Sequence, residues 1–198
     1  MKIVHLADIH WRGLSRHSEY KESFSDAFEK IRELSPDVIY LGGDIVHSKT
    51  QGISPELIDS LCWWFTEMSR IAPVHVILGN HDGLQHNTDR QDAISPILSA
   101  LDDPNIFLYK RSGTYPTGIP GYNWCVFSCF DEEGWQNVKP IEGEINIALF
   151  HGAVWGSTTD INWEIDGDIT VDFFSDFDFT LLGDIHKRQY LDNKKTIA

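Results

Sequence analysis

The sequence predicts an α/β domain in which two layers of β-strand are flanked by helices. Three observations lead there. Apolar runs and helical stripes alternate as strand–helix–strand–helix–strand through the first half of the 198 residues, the order that builds a parallel sheet through right-handed crossovers. The second half holds more strands than helices and supplies the second layer. Several apolar runs also end in glycine followed by Asp or Asn (Gly43-Asp44, Gly79-Asn80, Gly183-Asp184), as strands do when their carboxyl ends line a ligand crevice.

Taken in order, Lys2 to Ala7 is the first strand. Asp8 follows it with no small-residue cleavage site, so the start is a strand and not a signal peptide. Ser18 is placed to cap a helix that carries Tyr20, Phe24, Ala27, Phe28, Ile31 and Leu34 on one face, and Pro36 stops it. Asp37 to Leu41 is a second strand, ended by Gly42-Gly43-Asp44. Ser54 and Pro55 then open a helix, as cap and first helical residue, that bears Leu57, Ile58, Leu61, Cys62 and Phe65. Pro73 to Leu78 is the third strand, and a helix from about Asp92 to Leu101 follows, with Ile94, Ile97, Leu98 and Leu101 on one face. Arg111 to Gly121 is rich in Gly and Pro and reads as a loop. Tyr122 to Phe130, Ile145 to Phe150 and Phe177 to Leu182 are further strands. No repeat, low-complexity tract or composition shift divides residues 1–198, which read as one domain. Lys194 to Ala198 looks like the start of a strand, so the chain is expected to be the N-terminal part of a longer protein that lacks its capping domain.

Composition narrows the classes. A hydrophobic fraction of 41% is ordinary for a globular protein, and no apolar run approaches the roughly 20 residues that span a bilayer. Three cysteines, Cys62, Cys125 and Cys129, without a Cys-x-x-Cys pair argue against a disulfide framework or zinc ribbon. They read as reduced thiols in a cytoplasmic protein, in the host cytoplasm if the protein is viral. The net charge of −14 repels a polyanion at long range and weighs against a DNA substrate.

Five polar clusters each follow an apolar strand: Asp8-Ile9-His10, Gly43-Asp44, Gly79-Asn80-His81-Asp82, His151-Gly152 and Gly183-Asp184-Ile185-His186. Each alone is weak, but five at strand ends deliver carboxylate, imidazole and carboxamide to one rim. The metal-ligand candidates are Asp8, His10, Asp44, Asn80, His151, Asp184 and His186. Mixed nitrogen and oxygen donors without thiolate suit manganese, iron or zinc and fit an all-oxygen calcium cage poorly. Asp-x-His after a strand is expected to send both ligands one way, since alternate residues share a face. Asp44 has two carboxylate oxygens with which to bridge two cations. His5 and His75 lie within strands and read as packed histidines, and His17 and His86 as loop residues. Trp63-Trp64 reads as helical core, whereas Trp11, Trp155 and Trp163 flank the clusters and are candidates for stacking on bases.

These clusters resemble the calcineurin-like metallophosphoesterases, whose pattern is Asp-x-His, Gly-Asp, Gly-Asn-His-Asp/Glu, His and Gly-His-x-His. The resemblance covers essentially the whole chain and departs from the pattern at Asp184, where histidine is usual. It is nearer to the nuclease subunit of SbcCD-type double-strand-break repair complexes. The residues that carry this are Ile3 to Gly13, Gly43 to Lys49 with His47 three positions after the aspartate, Gly79 to Asp82, and Gly183 to Gln189. The segment Asp184 to Gln189 is also similar to the recombination endonucleases of T-even-type phages. The resemblance implies two divalent cations, manganese first with magnesium, iron or zinc as alternatives. Asp8, His10, Asp44 and His186 would take one; Asp44, Asn80, His151 and Asp184 would take the other. It gives His81 the role of protonating the leaving sugar oxygen, Asp82 that of orienting the His81 ring, and His47 a place in the catalytic set. Expected partners are DNA, an SbcC-type ATPase subunit and, as an option, a second copy of the chain, with no membrane. The leading function is a metal-dependent DNA exo- or endonuclease in repair or recombination. The alternatives are a small-molecule or phosphoprotein metallophosphatase, favoured by the charge, and a scaffold without metals, disfavoured by the intact ligand set.

Overall fold

The computed structural model describes residues 1–48, 52–87, 90–194 and 196–198. Lys49 of the second motif and Lys195 of the C-terminal segment lie outside the described residues. The elements run β1 (Ile3–Leu6), α1 (His17–Leu34), β2 (Val38–Gly42), α2 (Pro55–Ser69), β3 (Val74–Ile77), α3 (Ser95–Leu101), β4 (Ile106–Tyr109), β5 (Gly113–Pro116), β6 (Tyr122–Phe127), β7 (Ile145–His151) and β8 (Phe179–Gly183), with short 3-10 turns at Glu132–Asn137 and Val171–Phe174.

The strands form two four-stranded sheets, in the orders β1-β2-β3-β4 and β5-β6-β7-β8. The first is parallel throughout; in the second, β5 runs antiparallel to β6 and the rest are parallel. This is the two-layered α/β architecture expected from the sequence. Period-two alternation decides which layer each side chain joins. On β2, Val38 and Tyr40 meet Trp124, Val126, Ile147 and Leu149 of the other sheet. Ile39 and Leu41 face the opposite way, onto Leu61, Trp64, Phe65 and Met68 of α2 and Phe28 and Ile31 of α1. The far side of the second sheet packs Cys125, Phe127, Ala148 and Phe150 against Phe174. All three cysteines are free thiols.

Helix α2 begins as expected: the Ser54 hydroxyl accepts from the Leu57 amide at 3.1 Å, with Pro55 in the first turn. Helix α1 does not begin at a Ser18 cap. It starts at His17 after Arg16, which adopts the left-handed conformation (φ 65) and offers no side-chain cap. His17 therefore sits in the first helical turn, where its Nε2 lies 2.7 Å from the Arg12 carbonyl, and not in a loop. The segment read as a loop contains β5, a short edge strand with glycine and proline at its ends, both poor strand formers elsewhere in a sheet. The C-terminal residues lie along β8, with Thr180 bridging Ile197 in parallel. Among the described residues, no helix is long and apolar enough to cross a membrane.

Trp11 also departs from the sequence expectation. It is fully buried, stacked on Tyr20 at 4.4 Å and near-parallel to Phe24 at 5.8 Å, so it is core and not a stacking surface. Its burial ties α1 to the loop after β1, and the Tyr20 hydroxyl donates to the His10 carbonyl at 2.8 Å.

Candidate metal centre

Beyond β1 and β2 the two chains continue side by side. The amides of Asp8, His10 and Trp11 donate to the carbonyls of Gly43, Asp44 and Ile45 at 3.1, 3.0 and 2.9 Å, and the His47 amide donates back to Trp11. This ladder sets Asp8 and His10 against Asp44. The expectation that strand alternation aims Asp8 and His10 is not met, because both lie past the end of β1. Both instead have left-handed backbones (φ 56 and 52), as do Asp44 (51) and Asp184 (77). Left-handed non-glycine residues are uncommon and cluster at functional sites, where the surrounding fold holds the strain. Four such residues among the seven candidates turn their side chains into one crevice. Glycines allow the close approach: a Cβ on Gly79 would collide with Asp44 Oδ1, and one on Gly183 with the Gly42 carbonyl.

All seven candidate side chains converge. Asp44 is the hub and is buried. Its Oδ1 lies 3.3 Å from His151 Nε2, and its Oδ2 lies 3.7 Å from His10 Nε2 and 3.9 Å from His81 Nε2. His10 Nε2 is 3.4 Å from His186 Nε2. His151 Nε2 is 3.2 Å from Asn80 Oδ1 and 3.8 Å from Asp184 Oδ1. The Asp184 amide donates to both Asp8 oxygens, at 3.0 and 3.1 Å. Donor atoms of Asp8, His10 and His186 come within 4.8 Å of one another, as do those of Asp8, Asp44 and His151, and those of His10, Asp44 and His81.

The donor set fits divalent cations, and Asn80 makes the clearest test. Its amide faces His151 Nε2 at 3.2 Å and both Asp44 oxygens at 3.1 Å. With oxygen inward it faces the Asp44 carboxylate as a second acceptor, which a cation between them makes favourable; with nitrogen inward its two N–H groups would be shared among these atoms. His151 gives a second test. Its Nδ1 lies 2.7 Å from the Gly42 carbonyl, which only accepts, so Nδ1 keeps a proton and Nε2 faces the cluster, where it would offer a lone pair to a cation once its own proton is displaced.

Titration reflects the crowding. Burial pushes His10 down to about 4, overriding Asp44, so its ring is neutral and ready to ligate. Burial also opposes charge on His151, but Asp44 and the Gly42 carbonyl override it and lift the group to about 9. Asp8 is raised, by burial first.

His47, His81 and Asp82 lie together beside the donors. The His47 ring is 5.6 Å from that of His10, and the His81 ring is 4.8 Å from it. Asp82 does not orient His81. It is fully buried, with Oδ2 accepting from the Gly79 amide at 2.9 Å and Oδ1 from the Val46 amide at 3.0 Å. It thereby staples the loop after β3 to the loop after β2. The His81 ring is held instead by the His47 carbonyl, 2.5 Å from Nδ1, and the His81 amide donates to Asp44 Oδ1 at 2.8 Å. His5 and His75 are inward-facing in their strands; burial lowers both to about 4, and His75 Nδ1 meets the Tyr109 hydroxyl at 2.8 Å.

Sequence reasoning missed the backbone carbonyls of His47 and Gly42, because any residue supplies a carbonyl. It also missed the left-handed ligands, which have no signature in residue type. Lys187 and Gln189 entered the sequence reading only as part of the segment that carries the resemblance, and their contacts come from the fold. Lys187 Nζ donates to Asn162 Oδ1 at 2.6 Å and to Thr158 Oγ1 at 3.1 Å, and Gln189 bonds Thr158 on both its backbone amide and carbonyl.

Carboxylate, imidazole and carboxamide donors thus converge from strand ends on one candidate centre for divalent metal. The family model of the calcineurin-like phosphoesterases matches residues 1–188, and the chain belongs to that family. It is similar to the uncharacterized protein R555 of Acanthamoeba polyphaga mimivirus, 37% identical over 213 aligned residues that include 99% of this chain. The chain spans 15% of that relative's length. A crystal structure of the Pseudomonas putida nuclease MPE matches 82% of this chain and 66% of its own with a TM-score of 0.45 and 15% identity.

Proposed function

We propose that the chain is the catalytic domain of a metal-dependent DNA nuclease of the SbcCD kind, acting in repair or recombination alongside an SbcC-type ATPase subunit. The observation that supports the reading is the place of His47, the residue on which the resemblance to the nuclease branch turns: its ring lies 5.6 Å from that of His10 and 6.1 Å from that of His81, beside the donor set.

Asp8, His10, Asp44 and His186 would hold one divalent cation, and Asp44, Asn80, His151 and Asp184 a second, with manganese favoured. When bound, such ions supply Lewis acidity and a water of lowered pKa. The chain's own residues do the rest. Because the His47 carbonyl only accepts, His81 Nδ1 keeps its proton, and a proton taken up by the ring would sit on Nε2, which faces the crevice 3.9 Å from Asp44 Oδ2. From Nε2 it would pass to the departing sugar oxygen, which leaves poorly as an alkoxide. Asp82 holds the loops of Asp44 and Asn80 in register through its two amide contacts.

A second reading, hydrolysis of a small or protein-borne phosphoester, is favoured by one observation, the net charge of −14. A manganese-dependent assay on duplex DNA, single-stranded DNA and p-nitrophenyl phosphate separates the two. The nuclease reading expects DNA cleavage that EDTA abolishes. Turnover of the monoester with intact DNA would overturn it in favour of the phosphatase.

A further inference from the structure

Beside Asp184 and His186 lies a hairpin that the mechanism does not use. Thr158 pairs with Glu164 in antiparallel fashion, the Ile165 amide donates to the Ser157 carbonyl at 2.7 Å, and the Thr159 amide donates to that of Trp163 at 2.8 Å. Its tight turn passes through Asn162 in the left-handed conformation (φ 60). Lys187 and Gln189, from the segment that also supplies His186, clamp this hairpin through Asn162 and Thr158. An ordered turn is thus fastened beside two candidate metal ligands.

What it presents is apolar. Ile161 is 82% and Trp163 73% exposed, and both line a groove of about 440 Å³ whose other wall is Asp184 and His186. Large apolar side chains held out on an ordered surface mark a contact site. The charge around them limits its kind. Asp160 and Glu164 belong to the hairpin, Asp166 and Asp168 follow it, and Lys187 is already engaged by Asn162. These carboxylates offer no phosphate contacts, so what the groove can give a nucleic-acid strand held at the metal cluster is an aromatic face on which a base stacks without charge pairing.

We propose that this groove is a nucleobase subsite, in which Trp163 stacks on the base next to the scissile phosphate of the nucleic-acid substrate. The inference rests on the nuclease reading and sharpens it. A base inside a duplex has both faces already stacked, so the subsite selects an unpaired base, at a single-stranded stretch or a frayed end.

The test compares wild type, Trp163→Ala and Trp163→Phe, manganese-loaded, on a labelled single-stranded oligonucleotide and on one with abasic residues around the cleaved linkage. Base–aromatic stacking supports a KM rise of roughly 5- to 100-fold for Trp163→Ala on the base-bearing strand. The expected pattern has kcat little changed, much of the loss recovered by Trp163→Phe, and the three proteins converging on the abasic strand. Anisotropy titrations of the same strands in EDTA should show the same ranking without turnover. Equal KM values for Trp163→Ala and wild type on the base-bearing strand, with cleavage intact, would overturn the subsite and leave the nuclease reading standing. Wild type that cleaves no oligonucleotide while hydrolysing p-nitrophenyl phosphate would overturn both. A self-association lost on Trp163→Ala, with oligonucleotide kinetics unaltered, would assign the patch to an interface between copies and overturn the subsite.

Discussion

Replacing Asp82 separates a staple from a ring-orienting role. Its two oxygens accept the Gly79 and Val46 amides at 2.9 and 3.0 Å in a fully buried position. A buried N–H left without an acceptor costs about 1–3 kcal/mol. Asp82→Ala orphans both and should cost roughly 2–6 kcal/mol, a large share of the ~5–15 kcal/mol of a typical domain. Asp82→Asn keeps one carbonyl oxygen but turns an amide NH₂ toward the other N–H, so it should cost about 1–3 kcal/mol. Both variants loosen the loops of Asp44 and Asn80, and manganese affinity should fall about 10- to 100-fold, as it does when the partners of metal ligands are removed. Urea unfolding and calorimetric manganese titration read the two effects. Asp82→Ala with wild-type stability and metal affinity but reduced turnover would refute the staple and restore an action through His81.

Three further outcomes follow from the site. His81→Asn should keep its metals and lose turnover by about 10²- to 10⁴-fold, the usual worth of a positioned acid; steady-state rates at saturating manganese check this, and an unchanged rate would exclude the role. Asp184→Ala should weaken one metal site by about 10-fold or more while the other persists, because its carboxylate lies 3.8 Å from His151, in the second ligand set; two wild-type affinities by calorimetry would show that Asp184 is no ligand. His151 sets a pH dependence. Its folded pKa, near 9, lies above the ordinary 6.5, so in EDTA its stabilisation is fully present below 6.5 and is lost as pH rises through about 9. Manganese needs the neutral ring, so the melting-temperature gap between manganese and EDTA samples should widen across that same window. A gap that stays constant would contradict the assignment.

Much of this was legible because patterning and chemistry agree in the sequence. The alternation Val38-Ile39-Tyr40-Leu41 gives a strand buried on both faces, and Ser54-Pro55 marks a helix start that the backbone obeys. The polar clusters could be read because donors at the carboxyl ends of neighbouring parallel strands have one crevice to enter. What stayed hidden depends on contacts rather than residue type. Nothing in Asp8-Ile9-His10 states that both ligands are left-handed. Asp82 beside His81 looks like a carboxylate for a ring, yet its oxygens are taken by backbone amides, that of Gly79 in its own turn and that of Val46 in the loop after β2. Trp11, next to a ligand, is drawn inward by Tyr20 and Phe24 one helix away, a pairing set by tertiary packing.

The central claim is that Asp44 joins two cation sites. Anomalous diffraction from manganese-saturated crystals, collected on either side of the manganese edge, tests it most directly. The account predicts two peaks flanking the Asp44 carboxylate, one bordered by Asp8, His10 and His186 and the other by Asn80, His151 and Asp184. A single peak at saturation, or peaks that leave Asp44 uncoordinated, would contradict it.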